Sequence, residues 1–480
     1  MKSLNLKDKA IAGMLWNATE KFSIQISVFI IGVILARILT PADFGIIGML
    51  SVFIMLSQVF VDSGLGSGLI QKQNRKNIDF STVFVFNLIV SVVIYFILYF
   101  VAPAIADFYD MPQLTILTRV LSLNIVIISF AIIQRSKLTI KLDFKSLAKA
   151  NVISTVIGGV VAIYLAYNGF GVWALVVQNL TKALITVILL WILSDWRISI
   201  KFSSQSFNVL FNYGYKLLIS KLYATGLDES VKLIIAKSYS TSDLGFFTRA
   251  KQFPNLVSDT IANILQQVTF PILSTLQDDS ERLISVYRRI IKITGFFIFP
   301  AMTLLALLAD PIIRLLLTDK WAPAIEYLQW LSFSRIFYPM SLLNMNILKV
   351  VGRSDLFLKV DLLKAPVFII ILLITVPLGI KAMVIGYVIN SWISYIINSY
   401  MPGRLFNYGL YKQLKDIYTF VLITAIMAIA VYFVKGFFDN LFLKLIIGGI
   451  TGVISYLFLA YLFKINELKE ITSLFSRAKK

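Results

Sequence analysis

Ala36-Arg37-Ile38-Leu39-Thr40-Pro41-Ala42-Asp43-Phe44-Gly45 returns two hundred positions later as Ala236-Lys237-Ser238-Tyr239-Ser240-Thr241-Ser242-Asp243-Leu244-Gly245, with the alanine, a basic residue, the aspartate and the glycine in place. Each copy joins two apolar stretches long enough to cross a bilayer. A second pair of anchors stands further on, Leu121-Ser122-Leu123-Asn124 and Leu331-Ser332-Phe333-Ser334. Each is followed by a basic loop and an aspartate, Asp143 before Phe144 and Asp355 before Leu356. Two matches at corresponding spans mark a duplication. An even number of spans per half gives both copies one orientation, related by an axis along the membrane normal. Parallel repeats of this kind belong to secondary transporters, whose site is expected where the halves face each other.

Composition agrees. Of 480 residues, 58% are hydrophobic, yet the formal net charge is +20. A mean hydropathy of +0.83 does not describe a water-soluble globule. Apolar stretches must be helical in hydrocarbon, where water cannot satisfy the backbone. We expect about fourteen such spans, centred near Phe29, Phe53, Val92, Ile125, Val156, Leu184, Tyr223, Ile261, Phe299, Leu331, Ile369, Val388, Ala425 and Leu457. The reading is an all-α polytopic membrane protein. Its expected parts are an N-terminal lobe over 1–200 (spans one to six), a C-terminal lobe over 201–402 (spans seven to twelve), and spans thirteen and fourteen with a cytoplasmic tail over 403–480.

The positive charge alternates. Every second gap is basic, from Lys2, Lys7 and Lys9 through Arg135, Lys137, Lys141, Lys145 and Lys149 to Lys464 and the C-terminal lysines. The gaps between hold only Arg37, Lys237, Lys320, Lys381, Lys435 and Lys444. Such asymmetry places both termini in the cytoplasm. Charge dispersed over short loops argues against a nucleic-acid partner. The first span reads as a membrane helix rather than a cleaved signal peptide, since Arg37 follows it and further spans come after. The chain has no Cys and no His, which removes disulfides, thiolate and imidazole chemistry. No P-loop pattern appears, so energy for uphill movement is expected from elsewhere. The expectation is no catalytic residue, no metal and no cofactor.

A charge in the middle of a spanning helix costs about 2.5–3.5 kcal/mol and so marks a wet cavity or a partner. Asn17, Lys21 and Gln25 share a face of span one, beside Glu20. Ser51, Met55, Gln58 and Asp62 form a stripe on span two. Lys221, Thr225, Asp228 and Lys232 cluster on span seven, and Gln252, Asn255, Asp259, Asn263 and Gln266 step along span eight. Spans one, two, seven and eight are also the equivalent pairs of the duplication. Lys21, Lys221, Arg249 and Arg335, with the amides Gln252, Asn255 and Asn263, are the expected substrate-binding groups. Asp62, Asp228, Glu229 and Asp259 are the expected sites of coupling to H+ or Na+. Asp228 and Lys232, four apart, also suit a structural pair. Asp43 and Asp243 suit helix caps after a tight turn.

Several of these stretches resemble the Wzx-type polysaccharide flippases of the multidrug/oligosaccharidyl-lipid/polysaccharide exporter superfamily. They are Trp16, the string Leu35 to Gly45, Asp62-Ser63-Gly64-Leu65-Gly66, Lys141-Leu142-Asp143-Phe144-Lys145 and Leu244-Gly245-Phe246-Phe247-Thr248-Arg249-Ala250. The likeness is greatest to the colanic and teichuronic acid exporters, although Phe246-Phe247 stands where that branch often has tyrosine. The resemblance implies two six-helix lobes around a central cavity, with two added helices. It implies a bacterial inner-membrane protein that turns an undecaprenyl-pyrophosphate-linked oligosaccharide from the cytoplasmic to the outer leaflet by alternating access, for O-antigen, capsule or exopolysaccharide. A polymerase and glycosyltransferases of the same pathway are the expected partners. By comparison with lipid II flippases, Glu20, Lys21 and Arg249 are the nearest counterparts of their cavity charges. Two other readings stand beside it. One is an exporter of another lipid or of small drugs, which calls for a cavity rich in acids and aromatics. The other is a membrane enzyme, which calls for a large outer loop where this chain has short ones.

Overall fold

A computed structural model of the chain describes residues 6–468, apart from Ser63 and Asp278. The basic ends at 1–5 and 469–480 lie outside the described residues, as do the side chains of Asn17 and Lys216. The described residues divide into two compact units, unit 1 up to Gly245 and unit 2 from Phe246.

In chain order the α-helices are α1 (Leu6–Ile38), α2 (Pro41–Asp62), α3 (Leu65–Gln71), α4 (Asn77–Phe108), α5 (Gln113–Ser129), α6 (Ile132–Ile140), α7 (Phe144–Tyr167), α8 (Val172–Leu193) and α9 (Ser204–Ser238). They continue as α10 (Thr241–Ser274), α11 (Ser280–Leu307), α12 (Ala309–Leu317), α13 (Ala324–Arg335), α14 (Tyr338–Val350), α15 (Ser354–Thr375), α16 (Ile380–Phe406), α17 (Leu410–Gly436) and α18 (Leu441–Leu462). Every expected span centre falls inside a helix. Two spans are split in two, span four into α5 and α6 and span ten into α13 and α14, while α3 prolongs span two. Ten helical stretches are long and apolar enough to cross a membrane by composition. The remaining four spans are α9, α10, α13–α14 and α15. The first two have ample length, 35 and 34 residues, and fall short only because they carry the polar stripes. The fold is all-α and polytopic. Large side chains such as Phe100, Ile192 and Leu373 stand about 70% exposed on spanning helices. Water would penalise that arrangement; lipid accepts it.

The duplicated turn is built twice in the same way. Thr40 donates from its backbone N and its Oγ1 to Asp43 Oδ2, and the Asp43 N–H donates back to Thr40 Oγ1. Ser240 and Asp243 repeat all three bonds. Each is a reciprocal cap over the first turn of the next helix, placing the carboxylate at the positive dipole end. The glycines closing the motif touch across unit 1. A Cβ on Gly45 would stand 1.8 Å from the Thr241 carbonyl oxygen, and one on Gly245 would stand 1.9 Å from that of Pro41. Only glycine permits backbones to cross this closely.

The loops of unit 1 carry ion pairs at both ends of its helices. At one end Lys72 pairs with Asp79 (2.8 Å) and Lys141 pairs with Asp195, and the Lys141 ammonium holds the Asp195 carboxyl below its usual range. At the other end Lys237, one of the few cations there, lies near Asp110 (3.7 Å) and over the Phe108 ring (4.7 Å).

In unit 2, α17 and α18 lie outside the duplication but are bonded into the repeat. Tyr456 on α18 donates to the Phe296 carbonyl (2.7 Å), and Gly452 lets Leu304 approach. Gln413 on α17 lies at the centre of a buried network. It accepts from Tyr395 (2.7 Å) and Asn344 (3.2 Å), and its amide donates to Asn344 Oδ1 (3.0 Å) and the Tyr408 carbonyl (3.1 Å). Interhelical bonds of this kind hold spanning helices together where the hydrophobic effect cannot.

Candidate functional site

The polar stripes of spans two and seven meet. Asp62 Oδ2 lies 2.7 Å from Lys221 Nζ, and Lys232 Nζ lies 3.4 Å from Ser51 Oγ. From Asp62 back to Ser51 and from Lys221 on to Lys232 are eleven residues each, in opposite senses, so α2 and α9 run antiparallel in register. Gly64 makes the approach possible. It precedes the first residue of α3 with φ +69°, and a Cβ there would stand 2.5 Å from the Gly214 carbonyl oxygen.

Beside this seam is a cavity of about 470 Å3, within the range of small-ligand sites. Met55, Gln58 and Asp62 line it from α2, Lys221 and Thr225 from α9, and Arg135, Ser136 and Thr139 from α6. Gly66 and Ser67 of α3 complete the polar part of the wall. Asp62 is the last residue of α2, about 31 Å from Pro41 at 1.5 Å per residue. The cavity therefore lies toward the Asp62 end of α2, beside α3 and the start of the Lys72–Lys76 loop.

Arg135 is the residue that the sequence reading missed. As a basic residue in one of the alternating gaps it reads as a topology signal, but it lines the cavity. The signal is the spacing Arg135, Ser136, Thr139, a polar patch on α6, which follows the apolar helix α5.

Other expected residues lie elsewhere. Lys21 is exposed on α1 and is not among the cavity-lining residues; its neighbour Glu20 accepts from Asn151 Nδ2 (2.6 Å). Lys232 pairs with Glu229 (2.8 Å), three residues back, rather than with Asp228. Glu229 is the buried carboxylate of span seven, whereas Asp228 is exposed. An ammonium at about 15% exposure selects the acid that shares its dry face.

Unit 2 holds the second group. Arg249 Nη1 donates to Gln252 Oε1 (2.7 Å), one turn along α10. Asp259 on α10 approaches Arg335 on α13 (3.9 Å), and the Arg335 guanidinium covers the Tyr338 ring at 4.4 Å. Asn255 and Asn263 are half-buried on the same helix, and Asn255 Oδ1 finds no hydrogen-bond partner among the described residues. Lys251 is buried beside the Phe247 and Tyr387 rings, at 5.9 and 5.1 Å. Arg314 is paired with Asp310 (2.7 Å) and Asp319. Among the described residues no cluster of acids is arranged to hold a metal ion.

Comparison with known proteins bears on family and fold. The family model described as polysaccharide biosynthesis protein matches residues 34–326. The chain is 26% identical over 320 residues to the succinoglycan biosynthesis transport protein ExoT of Rhizobium meliloti (strain 1021), an alignment spanning 67% of this chain and 65% of that protein. It is 24% identical to the teichuronic acid biosynthesis protein TuaB of Bacillus subtilis (strain 168), over 95% of this chain and 96% of that one. Among solved structures, the lipid II flippase MurJ in an inward closed conformation superimposes with a TM-score of 0.78 at 16% identity, covering 94% of this chain and 98% of that chain. That likeness shows the fold.

Proposed function

We propose, from the premise that this chain belongs to the polysaccharide biosynthesis protein family, that it is a flippase for lipid-linked oligosaccharide. The cargo is an undecaprenyl-pyrophosphate-linked repeat unit, moved from the cytoplasmic to the outer leaflet of the bacterial inner membrane. Relatives named for succinoglycan transport and teichuronic acid biosynthesis support the glycan. The observation that carries the reading is the unit 1 cavity. Arg135 and Lys221 line it together with the hydroxyls of Ser67, Ser136, Thr139 and Thr225. A pyrophosphate at the polar boundary needs cations there, and the first sugar needs hydroxyl and amide partners.

The duplicated halves, 1–200 and 201–402, exchange access by rocking, with both termini in the cytoplasm as the basic loops favour. Arg249, Arg335 and the amides Gln252, Asn255 and Asn263, with Lys21, are the further candidates for holding the cargo. Asp62, Asp228, Glu229 and Asp259 are the candidates for coupling to H+ or Na+. The chain transports and does no covalent chemistry, handing its product to a polymerase after glycosyltransferases have built it.

Deleting the protein tests this. Lipid-linked repeat units are expected to accumulate on the cytoplasmic leaflet, and restoring the wild-type chain should clear them. Normal outer-leaflet delivery in the deletion strain would overturn the reading.

A further inference from the structure

We propose that Asp62 is a built-in stand-in for the cargo phosphate, holding Lys221 until a pyrophosphate displaces it. This inference rests on the flippase reading and assigns a selectivity device to its cavity. The Asp62 carboxylate lies 2.7 Å from Lys221 Nζ, and both side chains are more than half exposed. An ion pair left this open to water is only a few-fold more stable than its separated groups. The contact is therefore easily exchanged, unlike the Glu229–Lys232 pair higher on α9, which is nearly dry.

Arg135 makes the exchange favourable. It lines the same cavity from α6, and no acid among the described residues pairs with it. The lining carries two cations and one acid, a net charge of +1. A carboxylate at Asp62 neutralises Lys221 alone. A pyrophosphate offers oxygens enough to bind the Lys221 ammonium and accept from the Arg135 guanidinium together. A ligand with a single phosphate brings less charge to offset the loss of the internal pair. The cavity thus favours an isoprenoid pyrophosphate over the corresponding monophosphate. The displaced carboxylate then faces the cavity beside Gln58 and Ser67.

The test uses the full-length protein in detergent, titrated with geranylgeranyl pyrophosphate, geranylgeranyl monophosphate and inorganic pyrophosphate. Wild type should bind the prenyl pyrophosphate more tightly than the monophosphate, and inorganic pyrophosphate at least tenfold more weakly. Asp62→Asn should tighten prenyl pyrophosphate binding about two- to fivefold and narrow the preference over the monophosphate. In a Lys221→Gln background Asp62→Asn should tighten binding less than it does in wild type, since no internal pair is left to break. Asp62→Ser gives the same readings if the amide variant does not accumulate. Wild-type binding that Asp62→Asn leaves unchanged or weakens would overturn the stand-in role while sparing the flippase reading. Inorganic pyrophosphate binding as tightly as the prenyl form would overturn the lipid assignment. A wild-type protein that binds none of the three would overturn both.

Discussion

Arg135 and Lys221 sit on different helices, and the prediction at the residue scale is that both serve one anion. Loss of a charge-assisted hydrogen bond costs about 2 kcal/mol, roughly thirtyfold in affinity. Arg135→Gln should weaken prenyl pyrophosphate binding by that factor and lower polysaccharide export in a deletion strain. Arg135→Lys should recover only part, because an ammonium cannot present the planar fork of a guanidinium. Equal binding by wild type and Arg135→Gln would remove Arg135 from the site. Lys221 and Asp62 were legible in the sequence because a charge within an apolar span is conspicuous. Arg135 was not, since it lies near a loop whose lysines already explained a basic residue there.

At the scale of elements, the repeated turn makes two glycines indispensable for different neighbours. Gly45→Ala forces a methyl group into the Thr241 carbonyl, and overpacking of this kind costs about 1–3 kcal/mol or more. The expected result is a clear fall in melting temperature and in export. Gly226→Ala is the contrasting substitution. Nothing lies within 4 Å of its Cβ position on α9, and alanine improves helix propensity by about 1 kcal/mol. That variant should melt at or slightly above wild type. If Gly45→Ala melted no lower than Gly226→Ala, the close crossing would not exist in the membrane. The capping pattern Thr40-x-x-Asp43 and Ser240-x-x-Asp243 was readable from spacing, whereas the contact of each glycine with the other copy's turn was not.

For the molecule as a whole, two measurements bear on topology and on the added helices. The chain has no cysteine, so single cysteines report without background. Gln73→Cys should be shielded from an impermeant thiol reagent in intact cells, and Asp439→Cys should be labelled; the reverse pattern would invert the orientation. Gln413→Leu should destabilise the protein by about 1–3 kcal/mol, because buried Asn344 and Tyr395 lose their shared partner. An unchanged melting temperature would mean that the Gln413 network contributes nothing to holding α17, leaving apolar packing and the Arg288–Asp416 pair (2.5 Å).

Periodicity and charge asymmetry are one-dimensional signals, and they determined what one dimension can carry. They located the spans, because crossing a bilayer requires about 20 apolar residues. They exposed the duplication and the polar stripes, because helical spacing puts residues three or four apart on one face. Partnership is different, since it depends on which face meets which. Only the tertiary structure decided that Lys232 takes Glu229 rather than Asp228, that Lys21 stands apart from the cavity lining, and that Arg135 and Asp62, 73 residues apart in the sequence, share that lining. Each of those outcomes turns on distances of a few ångströms between helices, which sequence spacing along a single helix does not encode.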